Sequence, residues 1–244
     1  MKMRLDRWLT TLNVDSRSRV KEIIRNGQVK VDGKTVTDPA FSCETETQHL
    51  MLQGRETDGR VMRHVLLNKP AGLLTAARDP KQPTVMDLLP DVYSGIGCMP
   101  VGRLDKDTTG VLLLTCDGEL NHRLLSPGRH VDKVYRATVE GRLEEKDVRA
   151  FAAGLELSDF TALPAVMTIL RADDSLSEAE VTVREGKFHQ IKRMFSAVGH
   201  EVTELHRLSF GPLTLENGPE EGKWRELTED ETDMLYEAAG MRIK

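Results

Sequence analysis

A chain of 244 residues, 39% hydrophobic and 30% charged, has the composition of an ordinary folded protein and the length of one large domain or a small domain joined to a medium one. Its longest apolar runs, near Val65–Leu67 and Val111–Leu114, fall far short of the roughly 20 residues of a membrane span, so no membrane is expected as a partner. The start, Met1-Lys2-Met3-Arg4-Leu5-Asp6, carries charge where a secretory signal needs an apolar stretch. Cys43, Cys98 and Cys116 form neither a C-x-x-C pair nor a disulfide framework, which points to a reducing cytoplasm. The net charge of −5 is unevenly spread: residues 1–42 hold nine Lys/Arg against five acids, +4 locally, and the other 202 residues carry −9. A cationic head on an acidic body fits an end that grips a polyanion, or a solvated basic helix face with no partner.

In chain order, Leu5, Trp8, Leu9 and Leu12 fall at i, i+3, i+4 and i+7, the stripe of a helix. Ser16 is the expected N-cap of a second helix running to Asn26, with Val20, Ile23 and Ile24 inward and Gly27 ending it. Val29–Val31, the turn pair Asp32-Gly33 and Lys34–Val36 read as a hairpin. Arg17, Arg19, Lys21 and Arg25 avoid the apolar stripe, so their charges can project toward a phosphate backbone. The order Arg4-Leu5-Asp6, Ser16-Arg17-Ser18, then Ile23–Val31 into Asp32-Gly33-Lys34 resembles the S4 RNA-binding domain over about residues 2–50. The resemblance makes Arg4, Arg17, Arg19, Lys21 and Arg25 candidate RNA contacts.

Polar, glycine-punctuated Gln53–Arg60 is the expected linker, dividing the chain into residues 1–58 and 61–244. Beyond it, strands are predicted at His64–Asn68, Met99–Val101, Val111–Thr115, Val134–Val139, Ala165–Leu170, Ala179–Arg184, Val202–Leu205 and Leu213–Leu215. Helices are predicted at Thr84–Leu89, Glu119–Leu125, Glu144–Ala153, Phe188–Val198 and Thr228–Ala239, the last begun by a Thr228/Glu231 capping box. Strands joined by hairpins, with helices irregularly placed among them, favour α+β with a mixed, mainly antiparallel sheet.

The densest polar stretch is Gly102-Arg103-Leu104-Asp105-Lys106-Asp107-Thr108-Thr109-Gly110, lodged between apolar strands. In an extended segment Arg103 and Asp105 share a side. A carboxylate beside a fixed cation can serve as a nucleophile, and an Asp-rich turn capping backbone amides is the plain structural reading. G-R-L-D-x-x-T-x-G followed by L-L-x-T-x-D-G resembles the catalytic motif of pseudouridine synthases of the RsuA and RluA kinds. Asn68-Lys69-Pro70-Ala71-Gly72, Lys133-Val134-Tyr135 and Glu185–Met194 are similar to that family's N-K-P-x-G, K-x-Y and E-G-x-x-H-Q-[VI]-[KR]-R-M segments, in the same order. The S4-like head and the paired basic residues before Met194 point to the RsuA branch.

The resemblance implies conversion of a specific uridine to pseudouridine in small-subunit ribosomal RNA, at the uridine-516 type of site. Naked RNA or a pre-ribosomal particle is the substrate, and a monomer is expected. It implies Asp105 as nucleophile, Tyr135 as the face that stacks on the base, and Lys192 as the cation beside the aspartate. Arg103 would fill the gap left by the extruded base or hold phosphate. Lys187 and Arg193 would contact RNA. Lys69, Pro70 and Gly72 are expected to shape the cleft floor, and His189, His200 and His206 to be structural. Isomerisation needs no redox group, nucleotide or metal, and the chain carries neither G-x-G-x-x-G, nor a P-loop, nor metal-ligand spacing, so no cofactor is expected. The alternatives are a large-subunit uridine as target, or a non-catalytic RNA-binding assembly factor. A glycosylase is disfavoured because nothing sets Asp107 opposite Asp105.

Overall fold

The computed structural model describes residues 1–129 and 131–241. It divides into two compact units, one of Met1–Arg63 with Leu89–Met99, the other of His64–Leu88 with Pro100–Lys244. The division is therefore not a single cut near residues 58–61. Leu89–Met99 returns to the first unit because Arg63 lies over the Tyr93 ring at 5.5 Å and Gly95 abuts the Thr11 carbonyl so closely that a Cβ would sit 2.5 Å from it.

In the first unit, helix Leu5–Thr11 buries Leu5, Trp8 and Leu9, and helix Arg17–Arg25 buries Val20, Ile23 and Ile24. Ser16 stands at the N-cap position, but its hydroxyl makes no cap bond; it faces the Ser18 hydroxyl at 3.4 Å instead. Asp32 and Gly33, both at positive φ, turn Val29–Val31 into Lys34–Thr35.

The expected linker is a correction: Arg55–Thr57 is a strand paired with Leu50–Leu52 in a four-stranded sheet. Gln53 (φ 50) and Gly54 (φ 79) make the two-residue turn; glutamine is an uncommon residue at positive φ, so the composition reads as linker. Gly59 packs on Trp8, whose indole Nε1 donates to its carbonyl at 2.7 Å, leaving no room for a Cβ.

The second unit is built on a mixed sheet with the order Val166–Ala172, Leu176–Val183, Lys133–Glu140, Val202–Phe210, Thr109–Thr115, His64–Lys69, Trp224–Glu226. Neighbours run antiparallel except Val202–Phe210 beside Thr109–Thr115. The architecture is α+β, as the pattern of elements predicts. Thr109–Thr115 is buried along nearly its whole length, as a central strand covered on both faces must be. Lys133–Glu140 alternates, burying Lys133, Tyr135, Ala137 and Val139. One face of the sheet packs Leu66, Val111, Leu113, Phe210 and Leu235 into a core. Elsewhere Phe151 and Phe195 bring together helices Glu145–Ala153 and Gln190–Ala197 at a ring spacing of 4.9 Å.

The Thr228/Glu231 capping box forms. The segment from Thr84 yields only a 3-10 turn, Val85–Leu88, and Phe188 and His189 stand before their helix, which begins at Gln190. No helix among the described residues is long and apolar enough to cross a membrane.

The parallel pairing of His206 and Arg207 with Thr109 and Gly110 needs a glycine. Gly110 has φ +101, and a Cβ there would lie 2.3 Å from the Arg207 carbonyl oxygen. Gly110→Ala is expected to lower the free energy of unfolding in urea by at least about 2 kcal/mol. Gly118→Ala, at a helix start with open space around it, should be neutral or stabilise by up to about 1 kcal/mol; equal effects would contradict the packing described.

Candidate active site

The loop 102–108 leaves the apolar core and is held by an unusual set of bonds. Lys69, fully buried at the end of strand His64–Lys69, donates from Nζ to the carbonyls of Pro70 (3.0 Å), Asp105 (3.1 Å), Lys106 (3.3 Å) and Thr108 (2.9 Å). The Gly72 amide adds a bond to the Lys106 carbonyl at 2.7 Å, and the Thr75 hydroxyl brackets Leu104, donating to its carbonyl at 2.7 Å and accepting from its amide at 3.2 Å. Lys69 and Gly72 thus hold the loop in place.

Asp105 stands a quarter exposed between two side chains of the 189–192 segment. His189 Nε2 is 3.4 Å from Oδ1 and Lys192 Nζ is 3.8 Å from Oδ2. Lys192 is nearer to Asp107, 2.7 Å from both of its oxygens, and this bond holds the Asp107 carboxyl below its ordinary value. The cation expected beside Asp105 is therefore shared, with Asp107 taking the closer contact. His189 is a residue the sequence reading set aside as structural. It adopts φ 50, left-handed for a non-glycine residue, which carries its ring to the carboxylate.

Asp105 and Tyr135 line one open cleft, together with Arg103, Lys187, His189 and Ile191. Tyr135 is 8% exposed and belongs to strand Lys133–Glu140. Directly across the sheet is Arg207, buried at 2% exposure. Arg207 donates Nε to the Val111 carbonyl at 2.7 Å and Nη1 to the Tyr135 hydroxyl at 3.5 Å, while its Nη2 is left without a partner among the described residues. The sequence reading missed Arg207. The available signal was an arginine at the same period-two positions as buried Leu205.

Glu185 and Gln190 shape the turn between them. Gln190, 5% exposed, donates to Glu185 at 3.0 Å and accepts from the Lys187 amide at 3.1 Å. Arg103 is exposed at the rim. Lys187 lies at the cleft with its Nζ 5.8 Å from the Phe160 ring. Arg193 turns away, pairing with Asp159, hydrogen bonding Ser158 at 3.1 Å and covering Phe160 at 4.9 Å.

In the first unit, Arg4, Arg7, Arg17 and Lys21 line an open hollow. Arg4 is paired with Asp6 and Arg19 with Glu22, and Arg25 is exposed in the last turn of its helix. Among the described residues no group of three or more His, Cys, Asp or Glu could hold a metal ion.

Burial pushes the Lys69 ammonium down to about 8, with Asp107 and Asp105 opposing the fall. An unfolded lysine titrates near 10.4. Below pH 8 both states are protonated and the burial penalty is fully present; between about 8 and 10.4 only the unfolded chain keeps the proton, so the penalty is relieved. Wild-type unfolding free energy should climb through this window by up to about 1.4 kcal/mol per pH unit from this group. Lys69→Met should lack that part of the slope and be less stable at pH 7 by ~2–4 kcal/mol, its four carbonyls being left undonated. Identical slopes in urea titrations would refute this account of Lys69.

Comparison with known proteins places these features in a family. Residues 63–197 match the RNA pseudouridylate synthase family and residues 3–48 the S4 domain. The chain is 39% identical over 236 residues, 96% of its length and 99% of the relative's, to an uncharacterized RNA pseudouridine synthase, YtzG, of Bacillus subtilis (strain 168). It is 38% identical over 240 residues, 94% and 98% of the two chains, to the ribosomal small subunit pseudouridine synthase A of Pseudomonas aeruginosa. A crystal structure of a pseudouridylate synthase superposes with a TM-score of 0.64 at 33% identity, covering 96% of this chain and 99% of that one. With its loop 102–108, its K-x-Y strand and its 185–194 turn all inside the matched region, the chain belongs to the RNA pseudouridine synthases, isomerases acting on RNA, and carries an S4 domain at its N-terminus.

Proposed function

We propose that this protein converts one uridine of small-subunit ribosomal RNA, at the uridine-516 type of site, to pseudouridine. The supporting observation is the placement of the Asp105 carboxylate between His189 and Lys192 in one cleft with Tyr135. The target class rests on likeness to the Pseudomonas aeruginosa small-subunit enzyme. The protein acts in the cytoplasm as a monomer, on naked RNA or on a pre-ribosomal particle.

Pseudouridine formation breaks the bond from ribose C1′ to uracil N1, turns the base and rejoins C1′ to C5; C5 gives up its proton and the freed N1 takes one, so atoms and electrons balance. The product is an isomer, and nothing is oxidised or hydrolysed. Asp105 is the nucleophile. Lys192 and His189 keep its two oxygens directed into the cleft, and a compact ammonium can serve Asp105 and Asp107 together where a bidentate fork would commit to one. The extruded uracil stacks on Tyr135, whose hydroxyl is oriented by Arg207. Extrusion costs a few kcal/mol, which Arg103 at the rim offsets by taking the base's place in the RNA or by holding phosphate. The basic residues of the S4 head and Lys187 add phosphate affinity; the second unit, which carries Asp105, performs the chemistry. Arg193, engaged by Asp159, contributes less to RNA than Lys187.

Purified protein given ribosomal RNA transcripts of both subunits should form pseudouridine in the small-subunit RNA, and Asp105→Asn should abolish the product while binding RNA within a few-fold of wild type. Product from Asp105→Asn would end the proposed mechanism, and product only in large-subunit RNA would move the target.

Arg17→Ala should reduce the dependence of log affinity on log salt by about one unit. Arg19→Ala should reduce it less, its charge being partly met by Glu22. A salt slope unchanged by either would remove the head from the RNA interface.

A further inference from the structure

The Asp105–Tyr135 cleft opens, past Asp105, Arg103, Lys187 and His189, into a neighbouring hollow whose further residues the isomerisation does not use. It is open to solvent and adds Leu74, Thr75, Ala76, Lys106 and Phe188 to the residues shared with the cleft. Phe188 is 66% exposed. Single exposed apolar residues need no explanation, but this one is ordered against a neighbour. Its ring stacks on the His189 imidazole, with centroids 3.8 Å apart and planes 18° from parallel. The same imidazole reaches Asp105 at 3.4 Å. One aromatic assembly therefore runs from the nucleophile to open solvent.

Three cations, Arg103, Lys106 and Lys187, surround it. A flat apolar face rimmed by positive charge matches a nucleotide, whose base has a π-face and whose flanking phosphates are anionic.

We propose that Phe188, backed by His189, is a second stacking station that holds the unpaired base of a nucleotide neighbouring the target uridine, with Arg103, Lys106 and Lys187 on the phosphates. The proposal rests on the reading of the Asp105 cleft as the uridine site and extends it to recognition: the enzyme grips two bases, one for chemistry and one for register. An RNA whose neighbouring nucleotide is locked in a helix cannot reach the station, so the target must lie in a stretch with at least two unpaired nucleotides. Phe188 is a specificity residue; it touches no reacting atom.

The test compares full-length Phe188→Ala, Phe188→Leu and Phe188→Tyr. With ribosomal RNA as substrate, Phe188→Ala and Phe188→Leu should raise KM about tenfold, with the loss falling on KM and not on kcat, and Phe188→Tyr, which keeps the ring, should restore the wild-type KM.

A binding arm uses a labelled single-stranded RNA with one uridine flanked by adenosines, and the same RNA with each adjacent adenosine in turn made abasic. It is run in the Asp105→Asn background so that no turnover intrudes. Removing the correct neighbouring base should weaken binding about tenfold, and Phe188→Ala should then add less than twofold, because the partner of the ring is already gone. The salt slope should stay constant in the Phe188 variants and fall in Lys187→Ala.

A Phe188→Ala penalty equally large on intact and abasic RNAs would overturn the proposal, as would Phe188→Leu matching Phe188→Tyr. If the wild-type protein forms no pseudouridine, the catalytic reading fails by itself, and the abasic cycle still decides the stacking station.

Discussion

One buried ammonium governs the geometry of this site. Lys69 ends a central strand and is enclosed by four carbonyls, three of them from the loop that carries Asp105. Carbonyl dipoles stabilise an ammonium without cancelling its charge, so the loop is pinned to the sheet while the region beneath Asp105 stays positive. A water-filled loop of the same sequence would place the Asp105 carboxylate nowhere in particular. The cost is visible in the depressed proton affinity of Lys69: desolvation of a cation is paid once in folding so that no reorganisation is needed at the site.

The same economy recurs around Tyr135. Arg207 and Lys133 are both buried near its strand, with Lys133 bonded to the Val131 carbonyl at 2.8 Å and its ammonium also pushed down to about 8 by burial and by Arg207. Buried cations are expensive unless bonded, and here they are met largely by carbonyls, with one Arg207 nitrogen met by nothing among the described residues. The carboxylates, by contrast, stand at the mouth, where Asp105 and Asp107 divide Lys192 between them. The charge pattern is positive below and mixed above.

Much of this was legible in the amino-acid order. Asp32-Gly33, the Thr228/Glu231 box and the apolar run Val111–Leu114 are local signals, and each forms the element its chemistry predicts. Asp105 and Tyr135 could be singled out because they sit in short patterns whose residue types have chemical meaning. The failures share a cause. The Gln53-Gly54 turn places a glutamine at positive φ, which local propensity disfavours and strand pairing overrides. The helix predicted from Phe188 begins later because the left-handed backbone of His189 turns its ring toward a carboxylate 84 positions earlier in the chain.

By itself, then, the sequence determined the α+β class and the S4-like head, and it singled out Asp105 and Tyr135, which line one cleft, since those depend on residue type and near-neighbour spacing. Tertiary structure alone decided that Lys192 is shared with Asp107, that His189 joins the site, that Arg207 lies beneath Tyr135 and that Leu89–Met99 returns to the first unit. Those relations join residues tens of positions apart through a few tenths of a nanometre. Distances of that kind are set by sheet register and loop anchoring, to which no local pattern is sensitive.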